Sequence, residues 1–367
     1  MAARDGTPGA VGVVGAGTMG AGIAQLAIEA GSLVLLNDVD APAIERGRAR
    51  IRTRLERRAG RLDLDPESAD AWVEARLERL RDAPTLDDVA AAAPDLVIEA
   101  ALEDLDAKRA IFRVLDAATL PGTILATNTS AISVASIASA TARPGRVLGL
   151  HFFNPAPVMP LVEVVVAPAT DPAIVERAIA LMTAWGKVPV RCTDTPGFIV
   201  NRVNRPFTIE ALRILETGSA SVTEIDEALR DGGFPMGPFE LMDLTGIDVT
   251  LAAATGIWQG LGRPDRLRPS PIQEGLVATG DLGRKTGQGF YRYADGQRIG
   301  EVERPPTPAS DEHLTPAQIR ERILDAIARE ARMAAAEGVA ATDVIDLALR
   351  LGAGHPHGPF ESRQPPS

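Results

Sequence analysis

The 367-residue chain contains one cysteine and four histidines, and both small numbers exclude classes of site. With Cys192 alone, neither a disulfide framework nor a cysteine-based metal cluster can form. Four histidines leave little room for a histidine-rich metal centre. We therefore expect no structural or catalytic metal.

The chain also lacks any apolar run near the ~20 residues that span a bilayer, and its start lacks the apolar stretch of a secretory signal. An excess of positive charge is missing too. The net charge is -11, whereas nucleic-acid binding needs a cationic surface that neutralises phosphates. These absences predict a cytoplasmic, acidic enzyme or binding protein that binds neither nucleic acid nor membrane.

Arginine is concentrated in one place. Between residues 46 and 61 the chain carries eight arginines against one glutamate. A solvated basic helix is one interpretation. The other is an anion-binding face for a phosphorylated ligand, because the planar guanidinium suits phosphate recognition. The segment alone leaves both open.

Short apolar runs alternate with helical stretches over residues 1–190. The runs are Val11–Val14, Leu33–Leu36, Leu96–Ala100, Ile124–Thr127, Val147–Phe152, Leu161–Val166 and Val188–Val190. Continuous runs of this kind are typical of buried parallel strands, and intervening helices favour a doubly wound sheet. We predict an α/β domain of this type over residues 9–192.

The strand pattern stops near Thr195, and residues 199–229 carry apolar positions at helical spacing. We therefore predict a helical domain over residues 193–293. Residues 294–313 are polar and contain prolines, which is typical of a linker.

An internal repeat follows the linker. GSASVTEIDEALR at 218–230 matches GVAATDVIDLALR at 338–350 with a constant offset of 120 residues. GGFPMGPFE at 232–240 then matches GAGHPHGPFE at 352–361 after one inserted residue. Shared glycine, aspartate and Gly-Pro-Phe positions indicate duplication. We predict a partial second copy of the helical domain over residues 314–361.

The first apolar run leads directly into the glycines of VGVVGAGTMGAGIA, which are Gly15, Gly17 and Gly20. Glycines at this strand–turn–helix position permit a tight turn, close approach to a pyrophosphate, and close packing of helix on strand. Asp38 follows the second run, at the end of the predicted strand, and is the expected acceptor for the ribose hydroxyls. Because a carboxylate there repels a 2′-phosphate, NAD is favoured over NADP. An ordinary glycine turn is the alternative interpretation.

His151 is the only histidine before residue 313, and it lies at the end of the fifth run, where open α/β sheets bind their ligands. Its reference pKa of ~6.5 suits a general base. Three prolines between Phe153 and Pro160 could reverse the chain, and antiparallel pairing about residue 157 would bring Glu163 opposite His151. A buried carboxylate within LVEVVV is unfavourable unless it has a partner, and an imidazolium that it holds in place is such a partner. The alternative is that Glu163 points to solvent from an edge strand.

Several segments in order carry a resemblance to a known family. They are GAGTMGAGIA, IEAALEDLDAKRAIF, ATNTSAIS, GLHFFNPAPVMPLVEV, TPGFIVNRV and GRKTGQGFYRY. Over residues 9–293 the chain resembles the NAD-dependent 3-hydroxyacyl-CoA dehydrogenases, and the second repeat resembles a partial extra copy of their helical domain. The resemblance implies a Rossmann-type doubly wound sheet followed by an all-helical domain with a truncated repeat. It also implies NAD as cofactor, an acyl-CoA thioester substrate, and a homodimer formed through the helical domains. The pathway stays open among fatty acid β-oxidation, butanoate metabolism and aromatic-acid (phenylacetate) degradation.

The resemblance also implies a role for individual residues. His151 matches the general base and Glu163 its orienting carboxylate, while Ser130 and Asn201 match the residues that bind the reacting oxygen. Asn154 completes HFFNP beside the base and is expected to contact substrate. The residues implied at the cofactor cleft are Glu103, Lys108 and Asn128. The candidates for the CoA phosphates are Arg54, Arg58 and Arg61.

The chain departs from the family pattern at two positions. Ala131 stands where the family often has a second serine after NTS, which puts a ligand contact there in doubt. Glu321 stands in the second repeat where the first has Asn201, so the second copy is expected to be structural. His355 and His357 flank a proline and are interpreted as loop residues.

The resemblance, together with these residues, leads us to expect reversible, NAD-dependent oxidation of (S)-3-hydroxyacyl-CoA to 3-oxoacyl-CoA. A dehydrogenase of a free hydroxy acid or sugar acid on the same fold is the first alternative, and it would not require the CoA-side arginines. A dinucleotide-binding sensor is the second, and it would not require His151, Glu163, Ser130 and Asn201 together. Acyl chain length and tail polarity stay open.

Overall fold

The computed structural model describes residues 9–303 and 313–361. The chain divides into two compact units, with the division between Asp194 and Thr195. That is two residues beyond the boundary expected from the sequence. Among the helices of the described ranges, none is both long and apolar enough to cross a membrane.

The first unit is built on one eight-stranded sheet. Its strands are β1 (Ala10–Val14), β2 (Leu33–Asn37), β3 (Leu80–Asp82), β4 (Leu96–Glu99), β5 (Ile124–Thr127), β6 (Val147–Phe152), β7 (Leu161–Val166) and β8 (Val188–Thr193). Their order is β3-β2-β1-β4-β5-β6-β7-β8, and every neighbouring pair is parallel except β6 and β7. The predicted doubly wound α/β fold is therefore confirmed. All seven apolar runs are strands, and only the short strand β3 was missed.

Seven helices connect these strands. They are α1 (Thr18–Glu29), α2 (Ala41–Ala59), α3 (Pro66–Leu77), α4 (Leu86–Ala91), α5 (Leu105–Ala118), α6 (Val134–Ala138) and α7 (Pro172–Ala184). Four begin at an aspartate N-cap whose carboxylate accepts a backbone N–H of the first turn: Asp40, Asp65, Asp104 and Asp171. Chain order reverses beside β1, which lies between β2 and β4. In such sheets the crevice at the carboxyl ends of the strands at this point receives the ligand.

The second unit is mainly helical. Its helices are α8 (Val200–Val203), α9 (Arg205–Glu216), α10 (Val222–Asp231), α11 (Pro238–Thr245), α12 (Ile247–Gly260), α13 (Pro271–Thr279), α14 (Pro316–Ala336) and α15 (Thr342–Ala353). Pro206 lacks an N–H to donate to the preceding turn, and the path accordingly breaks at Asn204, between α8 and α9.

The prediction of a linker over residues 294–313 is wrong at its start. β9 (Tyr291–Ala294) and β10 (Gln297–Glu301) form an antiparallel hairpin there, so the unit is not all-helical. Asp295 and Gly296 both have positive φ, 49° and 74°, as a two-residue type I′ turn requires. The Asp-Gly pair was a readable hairpin signal within a polar segment. Residues 304–312 of the expected linker lie outside the described residues.

The repeat in the sequence is a repeat in structure. Asp226 in α10 accepts the N–H of Phe239 at 2.9 Å, and Asp346 in α15 accepts the N–H of Phe360 at the same distance. The two aspartates are 120 residues apart and the two phenylalanines are 121 apart. Each aspartate therefore ties its helix to the Gly-Pro-Phe turn that follows, which explains why both copies keep the aspartate and the turn.

The two copies also contact each other reciprocally within the second unit. Arg202 Nε donates to Glu330 Oε1 at 2.9 Å, and Arg322 Nε donates to Glu210 Oε1 at 2.6 Å. The arginines are 120 residues apart, and so are the glutamates. A reciprocal pattern of this kind is the hallmark of a two-fold interface. Here the pattern lies within one chain, with α14 against α8 and α9.

Candidate active site

The glycine turn after β1 has the geometry that a bound dinucleotide requires. Gly15 has φ +100°, and a Cβ there would lie 2.6 Å from the carbonyl oxygen of Ala100. A Cβ on Gly20 would lie 1.7 Å from the carbonyl oxygen of Gly15, so α1 can pack on the turn only through glycine. A Cβ on Gly17 would instead meet no heavy atom within 4 Å. Gly15 and Gly20 are needed for packing, and Gly17 faces open space.

That open space lies at the N-terminus of α1. Gly17 is the N-cap, it offers no side-chain acceptor, and the first turn carries no acidic residue. Helix N-termini present N–H groups and a positive dipole end to phosphates. The turn therefore fits a pyrophosphate, with room for it at Gly17.

Asp38 lies beside this turn at the carboxyl end of β2. Its Oδ2 accepts the N–H of Ala16 at 2.6 Å, and its Oδ1 accepts the N–H of Val39 at 2.7 Å. The side chain is half-buried. Its neighbour Asn37 is buried and donates to the carbonyl oxygen of Ala83 at 2.7 Å. Asp38 is thus the carboxylate held next to the glycine turn, where a ribose diol can reach it.

His151 and Glu163 form a buried pair. The register of β6 and β7 places the two residues directly opposite each other, as the pairing about residue 157 predicts. His151 Nδ1 and Glu163 Oε2 are 2.6 Å apart, and the two residues are 6% and 0% exposed. Glu163 does not point to solvent, which excludes the alternative interpretation. A carboxylate held this way fixes the imidazole ring and leaves Nε2 as the nitrogen able to exchange a proton.

Glu103 and Lys108 belong to a network around a residue that the sequence analysis missed. Glu99, at the end of β4, is fully buried and accepts from Lys108 Nζ, the Thr127 hydroxyl and the N–H of Ala101, each at 2.7 Å. Lys108 Nζ also lies 3.3 Å from Glu103 Oε2. A buried acidic residue at a strand end was a signal for this role, comparable with that of Glu163.

Glu103 in turn braces the loop that holds Ser130. Its Oε1 accepts the Thr129 hydroxyl at 2.5 Å, the N–H of Ser130 at 3.1 Å and the N–H of Ala131 at 3.2 Å. The Ser130 side chain is exposed. Ala131 contributes its backbone N–H here, so the loop is held without a second serine. Glu103 therefore holds the loop of Ser130 through these hydrogen bonds, and Lys108 holds Glu103 through the ion pair.

Asn128 connects this loop to the strand of the histidine. Its Oδ1 accepts the N–H of Phe152 at 2.9 Å, and its own N–H donates to the carbonyl oxygen of Glu99 at 2.7 Å. Asn154 is exposed just beyond β6. The carboxyl ends of β4, β5 and β6 are thus bonded to one another on the edge of the sheet that carries His151.

Of the three arginines predicted to bind the CoA phosphates, one is hydrogen-bonded within the protein and two are exposed to solvent. Both Nη atoms of Arg54 lie near the carbonyl oxygen of Thr18, at 3.2 and 3.3 Å. Burial, followed by repulsion from Arg50 and Arg57, lowers the pKa of Arg54. Arg58 and Arg61 are exposed. Arg54 therefore lies against the start of α1, while the other two face solvent.

A second missed residue is Asp194, which closes the first unit. Its carboxylate accepts the hydroxyl of Ser133 at 2.8 Å and the N–H groups of Val134 and Ala135 at 3.0 and 2.7 Å. It therefore caps α6 from a distant position in the sequence. No local pattern signals a cap of this kind.

Asn201 lies in the second unit, in α8, and is half-buried. The next residue, Arg202, is fully buried and is held by Glu330 at 2.9 Å and Glu337 at 2.7 Å. Glu321, at the equivalent position of the second copy, is exposed. Asn201 thus stands on a helix that a buried ion-pair network fixes to α14.

His355 lies in a loop, as the sequence predicts, but its side chain is buried. It is 6% exposed, and its Nε2 lies 2.8 Å from Asn204 Oδ1. Its ring meets the ring of Phe234 edge-on at a centroid distance of 4.9 Å. Burial lowers its pKa to about 4.

Among the described residues, no group of three or more His, Cys, Asp or Glu side chains is arranged to hold a metal ion.

Comparison with protein families gives matches to both units. Residues 10–195 match the family described as 3-hydroxyacyl-CoA dehydrogenase, NAD binding domain. Residues 197–293 and 319–363 match the 3-hydroxyacyl-CoA dehydrogenase C-terminal domain. The second of these segments covers most of the predicted repeat.

Individual relatives agree with the family matches. A 3-hydroxyadipyl-CoA dehydrogenase of Escherichia coli is 50% identical over 282 residues, which cover 77% of this chain and 58% of that protein. The mitochondrial hydroxyacyl-coenzyme A dehydrogenase of Rattus norvegicus is 44% identical over 77% of this chain and 90% of its own length. Among solved structures, a 3-hydroxybutyryl-CoA dehydrogenase from E. coli superposes with a TM-score of 0.86 at 37% identity, over 96% of this chain and 90% of that one.

Proposed function

The chain belongs to the NAD-dependent 3-hydroxyacyl-CoA dehydrogenase family, and from this premise we propose how its own residues oxidise an (S)-3-hydroxyacyl-CoA to the 3-oxoacyl-CoA. The observation that carries the proposal is the buried pair of His151 Nδ1 and Glu163 Oε2, 2.6 Å apart. It stands at the carboxyl ends of the strands, the same edge of the sheet as the glycine turn.

In the proposed reaction the substrate hydroxyl gives its proton to His151 Nε2 as the C3–H bond breaks and the C3=O bond forms. NAD, when bound, supplies the acceptor for the hydride that leaves C3. Glu163 stabilises the imidazolium, because its carboxylate is fully buried and no water competes for the bond to Nδ1. In the reverse direction His151 returns the proton to the 3-oxo oxygen.

Other residues bind and orient the reactants in this proposal. Ser130 and Asn201 hold the reacting oxygen, and Asn154 contacts the substrate beside the base. The pyrophosphate is held by the glycine turn and the adenosine ribose by Asp38, as the open space at Gly17 allows. Glu103, Lys108 and Asn128 keep the loop of Ser130 in place. Arg54, Arg58 and Arg61 remain candidates for the CoA phosphates.

The test is NADH production from a panel of substrates. The panel contains 3-hydroxybutyryl-CoA, 3-hydroxyhexanoyl-CoA, 3-hydroxyadipyl-CoA and the corresponding free 3-hydroxy acids. We expect turnover of the thioesters and little turnover of the free acids. A preference for a free acid would replace the proposal by the alternative of a hydroxy-acid dehydrogenase. The names of the relatives include both adipyl and butyryl substrates, so they leave the acyl tail open.

A role in fatty acid β-oxidation, a cytoplasmic location and a homodimer through the helical domains stay predictions from the sequence. The reciprocal contacts of α14 with α8 and α9 bear on the last of them. They already cover those faces within one chain, so a homodimer would have to use another surface of the helical unit. Light scattering of the purified chain measures whether its mass is that of one chain or two.

A further inference from the structure

Arg205, the first residue of α9, is a buried cation without a counter-charge. Three arginines of the described residues are less than one-tenth exposed, namely Arg146, Arg202 and Arg205. Arg146 is bonded to Asp116, and Arg202 to Glu330 and Glu337. Arg205 is 9% exposed, and its guanidinium has no hydrogen bond or ion pair within the described residues, its buried Nε included.

Such an arrangement is costly for the free protein. Burial of a charge without a partner is strongly unfavourable, and buried charges are normally paired. Desolvation alone lowers the pKa of Arg205 to about 10, so the side chain still carries its charge at neutral pH. A group that stays charged, buried and unpaired is characteristic of a functional site whose counter-charge comes from a ligand.

The position of Arg205 indicates which ligand. It follows Asn201 by four residues along the path of α8 and α9. The helical path breaks at Asn204 between them, but Asn204 has φ -81° and ψ -6°, in the right-handed helical region, so Arg205 stays about 6 Å from Asn201 along the path. Asn201 is the proposed ligand of the reacting oxygen on C3. Arg205 therefore lies about one turn from the group that holds C3.

We propose that Arg205 binds a carboxylate at the far end of the substrate's acyl chain, so that the preferred substrate is a 3-hydroxyacyl-CoA derived from a dicarboxylic acid. This inference rests on the proposed function. In 3-hydroxyadipyl-CoA the tail carboxylate is three carbon–carbon bonds from C3, about 4 Å in an extended chain. The CoA phosphates are an unsuitable counter-charge, because the whole pantetheine arm separates them from C3. The planar guanidinium suits bidentate binding of a carboxylate.

The experiment compares two thioesters of equal chain length that differ in tail charge, 3-hydroxyadipyl-CoA and 3-hydroxyhexanoyl-CoA. We expect the wild-type enzyme to have the higher kcat/KM for the adipyl substrate. Arg205→Met is expected to lower kcat/KM for this substrate by about 10- to 100-fold, the range for a hydrogen bond to a charged group. For the hexanoyl substrate the same variant should be nearly unchanged.

Three controls separate this role from a structural one. Arg329→Met removes an exposed arginine of α14 and should change neither value. Arg205→Lys keeps the charge and should retain part of the adipyl preference. Because Arg205→Met removes an unpaired buried charge, it should also unfold at a higher urea concentration than wild type. This last effect has the opposite sign from that of a structural arginine.

The outcomes are distinguishable. Equal loss with both substrates in Arg205→Met, or a wild-type enzyme indifferent to tail charge, would overturn the inference and leave the proposed function standing. If Arg205→Met fails to fold, Arg205→Lys takes its place, and a wild-type enzyme indifferent to tail charge still overturns the inference. Absence of NADH production with every 3-hydroxyacyl-CoA would overturn the proposed function and the inference together.

Discussion

Glu163→Gln tests whether the buried carboxylate supports catalysis at His151. Glutamine has nearly the same size as glutamate, so the substitution creates no cavity in the space between β6 and β7. It removes the negative charge 2.6 Å from Nδ1. It also allows the amide to donate to Nδ1, which would place the imidazole proton on Nε2 and prevent that nitrogen from accepting the hydroxyl proton.

The magnitude follows from the burial of the pair. Glu163 is fully buried and His151 is 6% exposed, so solvent cannot replace the lost charge. A hydrogen bond to a charged group contributes about 1.5–3 kcal/mol, and a wrong tautomer costs about 10⁴-fold in the serine-protease triad. We therefore expect kcat to fall by about 10²- to 10⁴-fold. NADH affinity should be unchanged, since the glycine turn and Asp38 are untouched.

The assay measures kcat in both directions together with NADH binding and urea unfolding. Asp116→Asn is the matched control, because Asp116 is a buried carboxylate paired with Arg146 at 2.8 Å. Arg146 directly precedes the amino end of β6, whereas His151 lies near its carboxyl end. It should lower stability and leave kcat nearly unchanged. If Glu163→Gln behaves like this control, losing stability but not turnover, Glu163 is structural and the reasoning is wrong.

Three further predictions concern cofactor choice, pH and the repeat. The Asp38 carboxylate should make kcat/KM higher with NAD than with NADP, and a preference for NADP would remove that assignment. Burial lowers the pKa of His355 to about 4, whereas the unfolded chain binds the proton near pH 6.5. The free energy of unfolding of wild type should therefore fall by up to about 3 kcal/mol relative to that of His355→Gln as pH falls from about 6.5 to 4. If the free energies from urea unfolding of the two proteins change in parallel with pH, this prediction is wrong. Glu330→Gln should lower the free energy of unfolding by about 3–5 kcal/mol, because its partner Arg202 is fully buried. The repeat-related variant Glu210→Gln should lower it by only about 1 kcal/mol, because its partner Arg322 is 39% exposed. Equal losses in urea unfolding would contradict this difference.

The strands and the central pair could be predicted because their signals are local. Apolar runs specify buried strands wherever both faces of a sheet are covered. The proline-rich reversal after Phe153 has a definite midpoint, and a two-residue period then brings Glu163 opposite His151. The sequence therefore carried both the sheet and the register that makes the pair.

The residues that the sequence did not reveal depend on contacts between distant elements. Glu99 accepts from Lys108 and Thr127 only because β4 and β5 are neighbours and α5 packs beside them. The burial of Arg205 likewise depends on packing of the folded unit, since an arginine at a helix start is usually solvated. The hairpin at Asp295 was different, because its turn signal was local and was overlooked within a polar segment.

The role of His151 as general base is tested by kcat for NADH formation by His151→Ala with the enzyme's best 3-hydroxyacyl-CoA at neutral pH. We expect kcat to fall by about 10²- to 10⁴-fold, the usual cost of losing a positioned base, with NADH affinity and urea unfolding close to wild type. If turnover survives intact in this folded, NADH-binding variant, His151 is not the base and another group accepts the proton.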